Sequence, residues 1–286
     1  MADLRYGLPA DEFIRQALKE DEGNGDHSSL STVAAEEAGI AKVRFKEDGI
    51  LSGIDVAETV CHIVDPNLSV RKRRSNGRLI EAGEIVMEIS GSIRCLLKAE
   101  RLLLNFLQRM SGVATLTSQY VKEVAGSGTV ILDTRKTTPN FRLFEKRAVV
   151  DGGGQNHRHG LYDMIMIKDN HVDCSGGIRR ALVLADLYRK EKFPSLKIEI
   201  ETRNLEEVKE VLETGLADRI MLDNFRPALL REAVGIIGGT LETEASGGIT
   251  LSNVAEYAET GVNFISVGAL THSYRSIDIS MKVARQ

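Results

Sequence analysis

The chain contains 286 residues, of which 42% are hydrophobic, and this allows one large or two medium domains with an ordinary core. The formal net charge of −4 argues against a nucleic-acid partner, and the lack of a signal-peptide pattern or a long apolar run argues against a membrane partner. The three cysteines have neither metal-site nor disulfide-type spacing, so we expect reduced thiols and a cytoplasmic location.

The first part of the chain is predicted to form an α+β layer. Apolar residues at helical spacing from Leu8 to Leu18, with Pro9 in the first turn, predict a helix, and a polar loop follows at residues 21–32. The basic run Arg71–Arg74 is interpreted as a solvated sheet edge rather than a phosphate site. Short alternating or apolar runs predict strands at 42–46, 50–53, 69–74 and 84–90.

A long periodic segment begins after Ser92 and is predicted to be helical, with a break near Ser111 and Gly112. We place a domain boundary at this break. Within the helix, Arg101 is interpreted on spacing alone as part of a surface ion pair. The predicted divisions are an α+β domain at 1–112, a β/α domain at 113–270, and a segment at 271–286 that returns as a strand to the first sheet.

After Gly128 the pattern changes, because apolar strand candidates now alternate with helical patterns. This alternation predicts a parallel β/α fold. Since six strands are recognisable rather than eight, we expect either a (β/α) barrel with two weak strands or an incomplete barrel, and a doubly wound open sheet is the alternative. The strand candidates lie at 130–133, 164–167, 197–201, 219–222, 241–245 and 264–267.

Basic side chains follow the first two of these strands and also occur in the segment that connects them. They are Arg135, Lys136, His157, Arg158 and Lys168, and we call them the cationic wall. Because the carboxyl ends of parallel strands meet at one edge of a sheet, these groups are expected to lie close together. Their mutual repulsion would destabilise the fold unless a ligand offset it, so the pattern predicts a highly charged anionic ligand.

Two glycine-bearing loops follow the last two strands of the repeat. They are Ser246-Gly247-Gly248 and Val267-Gly268-Ala269. Loops at this position of a (β/α) barrel commonly hold a phosphate, because glycine lets backbone N–H groups approach an oxyanion closely. The sequence therefore predicts a monophosphate pocket here.

Two carboxylates, Glu201 and Asp223, stand at the ends of neighbouring strands. They are expected either to serve Mg²⁺ and sugar hydroxyls or only to pair with Lys168 and Arg135, and the residues alone leave these alternatives even. A phosphorylated ribose with a leaving pyrophosphate, together with a carboxylate co-substrate, would use the phosphate pocket, the acidic pair and the cationic wall.

Other chemistries remain open on the residues alone. His157 and His159 could form an HxH metal site, although Arg158 between them would repel the metal. Lys168 could be the Schiff-base lysine of an aldolase-type lyase, because a cationic neighbourhood can lower the pKa of an amine. A catalytically silent protein that binds such a phosphorylated ribose with its pyrophosphate on the same scaffold is a third possibility.

Motifs along nearly the whole chain resemble those of the quinolinate phosphoribosyltransferase family. They are Gly49–Gly53, Ala99–Arg101, Asp133–Pro139, Gly152–Arg158, Ile167–His171, Glu199–Glu201, Leu222–Asn224, Glu244–Ile249 and Val267–His272. The resemblance implies transfer of a phosphoribosyl group to quinolinate with decarboxylation, an amino-terminal α/β sandwich and an incomplete barrel. The sequence departs from the family at residues 25–28.

The resemblance also implies roles for single residues. The cationic wall, with Thr134, would bind the carboxylates of quinolinate and the pyrophosphate of phosphoribosyl pyrophosphate. Glu201 and Asp223 would serve the ribose hydroxyls and Mg²⁺. Arg101 would reach the active site of a neighbouring subunit in an obligate homodimer or a larger homo-oligomer. The 5′-phosphate would be held by Ser246, Gly247, Gly248, Val267, Gly268 and Ala269.

Overall fold

A computed structural model describes residues 10–285, which form eleven helices and twelve strands. The elements up to the long central helix are α1 Ala10–Glu22, α2 His27–Thr32, β1 Ala38–Phe45, β2 Gly49–Ile50, α3 Ile54–Val64, β3 Ser69–Lys72, β4 Leu79–Ile80, β5 Ile85–Ser92 and α4 Ile93–Glu123. The elements that follow are β6 Val130–Leu132, α5 Arg142–Asp151, β7 Ile165–Ile167, α6 Asp169–Ser175, α7 Ile178–Lys192, β8 Ile198–Thr202, α8 Leu205–Thr214, β9 Arg219–Asp223, α9 Pro227–Ile237, β10 Glu242–Ser246, α10 Val254–Ala258, β11 Phe264–Ser266, α11 Ala269–His272 and β12 Ile279–Arg285.

The described residues divide into two compact units, and neither is a continuous piece of chain. The sandwich unit contains the chain up to Ser118, Thr138–Gly153 and the residues from Tyr274 onward. The barrel unit contains Gln119–Thr137 and Gly154–Ser273. The predicted boundaries at residues 112 and 270 remain predictions.

In the sandwich unit, a four-stranded antiparallel sheet has the order β12-β1-β5-β3. Alternate residues of β1 are fully buried, so its period-two pattern faces the core. The predicted return of the last segment is confirmed, because β12 pairs with β1 and places Met281 opposite Val43. The first predicted helix is confirmed as α1, whereas Leu8 and Pro9 lie outside the described residues.

The long helix α4 runs unbroken through Ser111 and Gly112, so the predicted break is wrong. Both small residues serve packing instead. The Ser111 hydroxyl accepts a hydrogen bond from the amide of Ser52 at 3.1 Å. A Cβ on Gly112 would lie 2.4 Å from the carbonyl oxygen of Arg275, so only glycine allows the backbone to approach this closely.

The predicted polar loop at residues 21–32 is wrong in its second half, because α2 forms there and Asp26 caps it by accepting a hydrogen bond from the amide of Ser29 at 3.1 Å. Helix α3 and strand β4 were not predicted.

The interpretation of Arg71–Arg74 as a solvated edge is confirmed. Strand β3 is an edge strand of its sheet. Lys72 and Arg73 pair with Glu58 and Glu88, and Arg74 pairs with Glu84, all as partly exposed pairs. Exposed ion pairs of this type contribute at most about 1 kcal/mol each.

Among residues 10–285, no helix has both the length and the apolar character needed to cross a bilayer.

In the barrel unit, six parallel strands have the order β6-β11-β10-β9-β8-β7. From β7 to β11 each strand pairs with the next strand in the sequence, and β6 pairs with β11. This is the strand order of a (β/α) barrel in which the first strand lies beside the last. A doubly wound sheet would reverse direction, so that alternative is wrong. Because β6 and β7 do not pair, the barrel is incomplete, and all six predicted strands are present.

Candidate active site

A pocket with a volume of about 730 Å³ lies within the barrel unit, at the carboxyl ends of its strands. Catalytic and binding groups of barrel enzymes lie at this end. Its lining contains the cationic wall, the acidic pair and one of the two glycine loops. The predicted residues that line it are Thr134, Arg135, Lys136, His157, Arg158, Lys168, Glu201, Asp223, Ser246, Gly247 and Gly248.

The acidic pair is joined to the cationic wall. The Lys168 ammonium lies 2.9 Å from a carboxylate oxygen of Glu201. Burial, together with the negative charge of Glu201, raises the pKa of Asp223 above its usual range. Two carboxylates that repel each other in this way fit a cation, and Mg²⁺ is commonly held by one or two carboxylates together with substrate phosphates.

The predicted phosphate loop after β10 depends on glycine geometry. Gly247 has a φ of +91°, and a Cβ at this position would lie 2.3 Å from the side-chain oxygen of Asn224. Asn224 itself has a φ of 56°, and its amide donates to the carbonyl of Ser246 at 2.8 Å. A side chain at 247 would therefore strain the backbone and displace Asn224 from the pocket rim.

The second loop, Val267-Gly268-Ala269, does not line the pocket directly but abuts the cationic wall. A Cβ on Gly268 would lie 3.0 Å from Cδ of Lys136. The hydroxyl of Thr271 donates to the carbonyl of Lys136 at 2.8 Å, and the amide of Lys136 donates to the hydroxyl of Thr134 at 3.0 Å. These contacts hold the loops after β6 and β11 together, so Lys136 stands beside Gly268.

Arg158 is half-buried in the wall. Burial and the positive charge of Arg135 lower the pKa of its guanidinium from the usual value. One of its nitrogens donates weakly to the carbonyl of Met164 at 3.4 Å. An anion in the pocket would relieve both the desolvation and the repulsion of these arginines.

Beneath the acidic pair lies a layer of buried charge that sequence analysis missed. His157 Nε2 lies 3.0 Å from a carboxylate oxygen of Glu199 and 3.3 Å from one of Glu244. Arg219 lies 3.1 Å from Glu244. Glu199 precedes Glu201 by two residues on β8, so both point to the same face at different depths. Alternating glutamates in a fully buried strand were the available signal.

Two opposing influences act on the His157 ring. Burial lowers its pKa, but hydrogen bonds to Glu199 and Glu244 outweigh burial and raise it to about 9. The amide N–H of Arg158 donates to Nδ1 at 2.7 Å, however, and this opposes a second ring hydrogen there. Because Nδ1 accepts this hydrogen bond, the ring hydrogen lies on Nε2. Burial and Glu244 raise the pKa of Glu199, which accommodates a further proton in the layer.

The structure bears on the two alternative sites. Among the described residues, His157 with Glu199 and Glu244 is a group whose composition suits a metal, and His159 is not part of it, so the HxH site does not form. Nζ of Lys168 lies 2.9 Å from a carboxylate oxygen of Glu201, so an attack of this nitrogen on a carbonyl would first require the ion pair to break. Arg101 lies on α4 in the sandwich unit and is exposed.

Two family models match the chain. Quinolinate phosphoribosyl transferase, N-terminal domain, matches residues 26–111, and the C-terminal domain of the same family matches residues 113–282. Chloroplastic nicotinate-nucleotide pyrophosphorylase (carboxylating) of Arabidopsis thaliana is 46% identical over 97% of this chain and 83% of the relative. The probable nicotinate-nucleotide pyrophosphorylase (carboxylating) of Bacillus subtilis is 41% identical over 96% of this chain and 94% of the relative.

Solved structures agree with these matches. NadC from Streptococcus pyogenes has a TM-score of 0.92 and 36% identity, with 96% of each chain covered. The nicotinate-nucleotide pyrophosphorylase from Francisella tularensis has a TM-score of 0.91 and 38% identity, with 99% of this chain and 100% of that chain covered.

Proposed function

The chain belongs to the quinolinate phosphoribosyltransferase family, and from this premise we infer that it is a decarboxylating pentosyltransferase. It transfers the phosphoribosyl group of phosphoribosyl pyrophosphate to quinolinate, giving nicotinate mononucleotide, pyrophosphate and CO₂ for NAD biosynthesis. The observation that supports this most directly is that one barrel pocket unites the cationic wall, the acidic pair and a glycine loop. Each part matches the chemistry of one portion of the two substrates.

Quinolinate is a pyridine with two adjacent carboxylates, and phosphoribosyl pyrophosphate carries a pyrophosphate and a monophosphate. We assign Arg158 to the quinolinate carboxylates, because this half-buried guanidinium lies within the pocket beside Arg135. Lys136 is assigned to pyrophosphate, because it lies beside Gly268. Thr134, Arg135, Lys168 and the two glycine loops complete the substrate contacts.

Glu201 and Asp223 would hold Mg²⁺ together with the ribose hydroxyls. Their mutual repulsion, which contributes to the raised pKa of Asp223, supports this assignment. The ion would supply positive charge at the oxygens of the pyrophosphate. Nζ of Lys168 lies 2.9 Å from a carboxylate oxygen of Glu201 and orients that carboxylate.

The reaction requires no protein nucleophile. The pyridine nitrogen attacks C1 of the ribose as the bond to pyrophosphate breaks. The bond between ring carbon C2 and its carboxylate then breaks and CO₂ leaves. The positive charge of the adjacent ring nitrogen stabilises the electron pair left on C2, which takes up a proton from water. The carboxylates of Glu201 and Asp223 stabilise positive charge that develops on the ribose, while Lys136 stabilises the negative charge of the leaving group. The protein therefore contributes mainly position and electrostatics.

An assay of purified protein with quinolinate, phosphoribosyl pyrophosphate and Mg²⁺ tests the proposal. We expect nicotinate mononucleotide and CO₂ to appear in equal amounts, because one carboxylate is lost per transfer. Nicotinate, which lacks the second carboxylate, is the parallel substrate and is expected to give far less product. No nucleotide from quinolinate would contradict the proposed function, and covalent trapping of Lys168 by borohydride with a carbonyl substrate would then favour a lyase.

We also propose a homodimer in which Arg101 completes the pocket of the partner copy. The exposure of Arg101 on α4 and the family resemblance support this role. A location in the cytoplasm is proposed from the three free cysteines, although relatives are named chloroplastic or mitochondrial.

Subunit mixing tests the shared site. Arg101→Ala and Arg158→Ala homodimers are each expected to be nearly inactive. Dissociating and reassociating an equal mixture should restore about a quarter of the unaltered activity, because half of the dimers are mixed and each has one intact pocket. The matched control is a mixture of Arg158→Ala and Lys136→Ala. Because these two residues belong to the same pocket of one subunit, every pocket of the mixed dimers is impaired, and we expect no recovery of activity. Failure of the first mixture would contradict the role of Arg101.

A further inference from the structure

Within the cationic wall, His157 differs from the other members because the protein itself occupies both of its ring nitrogens. Nε2 faces Glu199 at 3.0 Å and Glu244 at 3.3 Å. Nδ1 accepts the amide N–H of Arg158 at 2.7 Å. The side chain is 5% exposed, and the backbone amide of His157 donates to the buried carboxylate of Asp133 at 2.9 Å. Neither nitrogen is left to bind a carboxylate of the substrate.

Of the two carboxylates that face His157, that of Glu244 is itself paired with Arg219. This guanidinium lies 3.1 Å from Glu244 and 3.0 Å from Glu242, and it stacks on the ring of Phe264 with its central carbon 4.0 Å from the ring centroid. An arginine that is stacked and doubly paired has little rotational freedom. The buried charges therefore form a chain from Arg219 through Glu244 to His157, and Glu199 completes it from the neighbouring strand.

A metal ion is the other occupant that the composition of this layer suits. The geometry opposes it, because Nδ1 accepts a backbone hydrogen and the ring must then carry its own hydrogen on Nε2, the nitrogen that would ligate. The guanidinium of Arg219 beside Glu244 also supplies the positive charge that a metal would otherwise bring. The layer therefore consists of charge pairs between His157, Glu199, Glu244 and Arg219, together with the hydrogen bond from the Arg158 amide to Nδ1.

We propose that Glu199, Glu244 and Arg219 are positioning residues that act through His157, and that His157 holds the backbone of Arg158 rather than binding quinolinate through a ring nitrogen. The backbone amide of Arg158 donates to Nδ1, so the network fixes the backbone position from which the substrate-binding side chain of Arg158 extends. Groups that orient metal ligands in this way change affinity or activity by about 10- to 100-fold, and we expect an effect of similar size here. The inference rests on the proposed function.

Nitrogen-15 spectra of histidine-labelled protein test the placement of the ring hydrogen. The His157 signals, identified by their absence from a His157→Gln variant, are expected to show Nδ1 without and Nε2 with a hydrogen. They should stay so after saturation with phosphoribosyl pyrophosphate and phthalate, which carries adjacent carboxylates but no ring nitrogen and so does not react. Two protonated nitrogens in the phthalate complex, or a hydrogen that moves to Nδ1, would overturn the inference. The spectrum requires no turnover.

Substitutions separate positioning from direct binding. Glu244→Gln keeps the shape but removes the charge, and it is expected to raise KM for quinolinate about tenfold while KM for phosphoribosyl pyrophosphate changes less than about twofold. The matched control is Glu213→Gln, at an exposed carboxylate that pairs with Arg179. His157→Gln, whose amide can both accept from Arg158 and donate to the carboxylates, should exceed His157→Leu by about tenfold in kcat/KM.

Equal increases of both KM values, or equal loss in His157→Gln and His157→Leu, would overturn the inference. Thermal unfolding of each variant shows whether it is folded. If Glu244→Gln does not fold, the nitrogen-15 spectrum of the unaltered protein tests the inference by itself. Absence of turnover by the unaltered chain would contradict the proposed function. The position of the ring hydrogen on His157 tests the inference independently, because the spectrum requires no turnover.

Discussion

Arg158→Ala is expected to lower kcat/KM for quinolinate on the order of 100- to 1,000-fold. The guanidinium is half-buried and lies beside Arg135, so its charge is poorly screened by water. Its forked donors match a carboxylate, and alanine would leave the substrate charge without a partner in a desolvated site. Steady-state kinetics at saturating phosphoribosyl pyrophosphate measure the effect as a rise in KM together with a fall in kcat.

The control for this substitution is Arg179→Ala. Arg179 lies on α7, 53% of its side chain is exposed, and it pairs with Glu213. We expect its kinetics to match those of the unaltered chain, since exposed pairs contribute little to stability. Arg158→Lys should recover only part of the loss, because an ammonium lacks the fork. Near-normal activity of Arg158→Ala would remove Arg158 from the assigned quinolinate contacts.

Lys136→Ala is expected to reduce kcat on the order of 100-fold, with a smaller change in KM for quinolinate. Negative charge accumulates on pyrophosphate as its bond to C1 breaks, so a cation beside it stabilises the transition state more than the ground state. The contacts of its backbone with Thr134 and Thr271 do not involve its ammonium and are retained in the variant. Single-turnover rates of nucleotide formation isolate this step.

Lys197→Ala provides the comparison for Lys136→Ala. Lys197 is 59% exposed, and its ammonium lies 3.8 Å from Glu242, so its removal tests the loss of one positive charge away from the pocket. Its turnover is expected to be unchanged. If Lys136→Ala changed KM for quinolinate alone and left kcat intact, the assignment of Lys136 to the leaving group would be wrong.

The barrel was predictable from sequence because most of its strands are short, largely apolar and buried on both faces, and such runs are recognisable wherever they recur. The long helix was harder. Gly112 and Ser111 have the composition of a helix end, but their small size is required by neighbours far along the chain. A local pattern contains no information about the carbonyl of Arg275, so the helix break was a wrong prediction.

The pocket was predictable in outline for a similar reason. Residues that follow strands meet at one edge of a parallel sheet whatever the loops do, and so the cationic wall and the acidic pair lie together. Glu199 and Glu244 escaped prediction because a glutamate in a strand usually faces water. Only the pairing of β8, β9 and β10 reveals that Arg219 and His157 lie beside these glutamates.

The pairing of β12 with β1 has a consequence for synthesis on the ribosome. Strand β1 emerges early, with β5 available for one edge, but its partner on the other edge emerges only after every strand of the barrel unit. The nascent chain therefore carries an unpaired strand edge throughout translation of the barrel, and such edges invite aggregation or chaperone contact. The sheet of the sandwich unit can thus become complete only after the barrel unit has been translated.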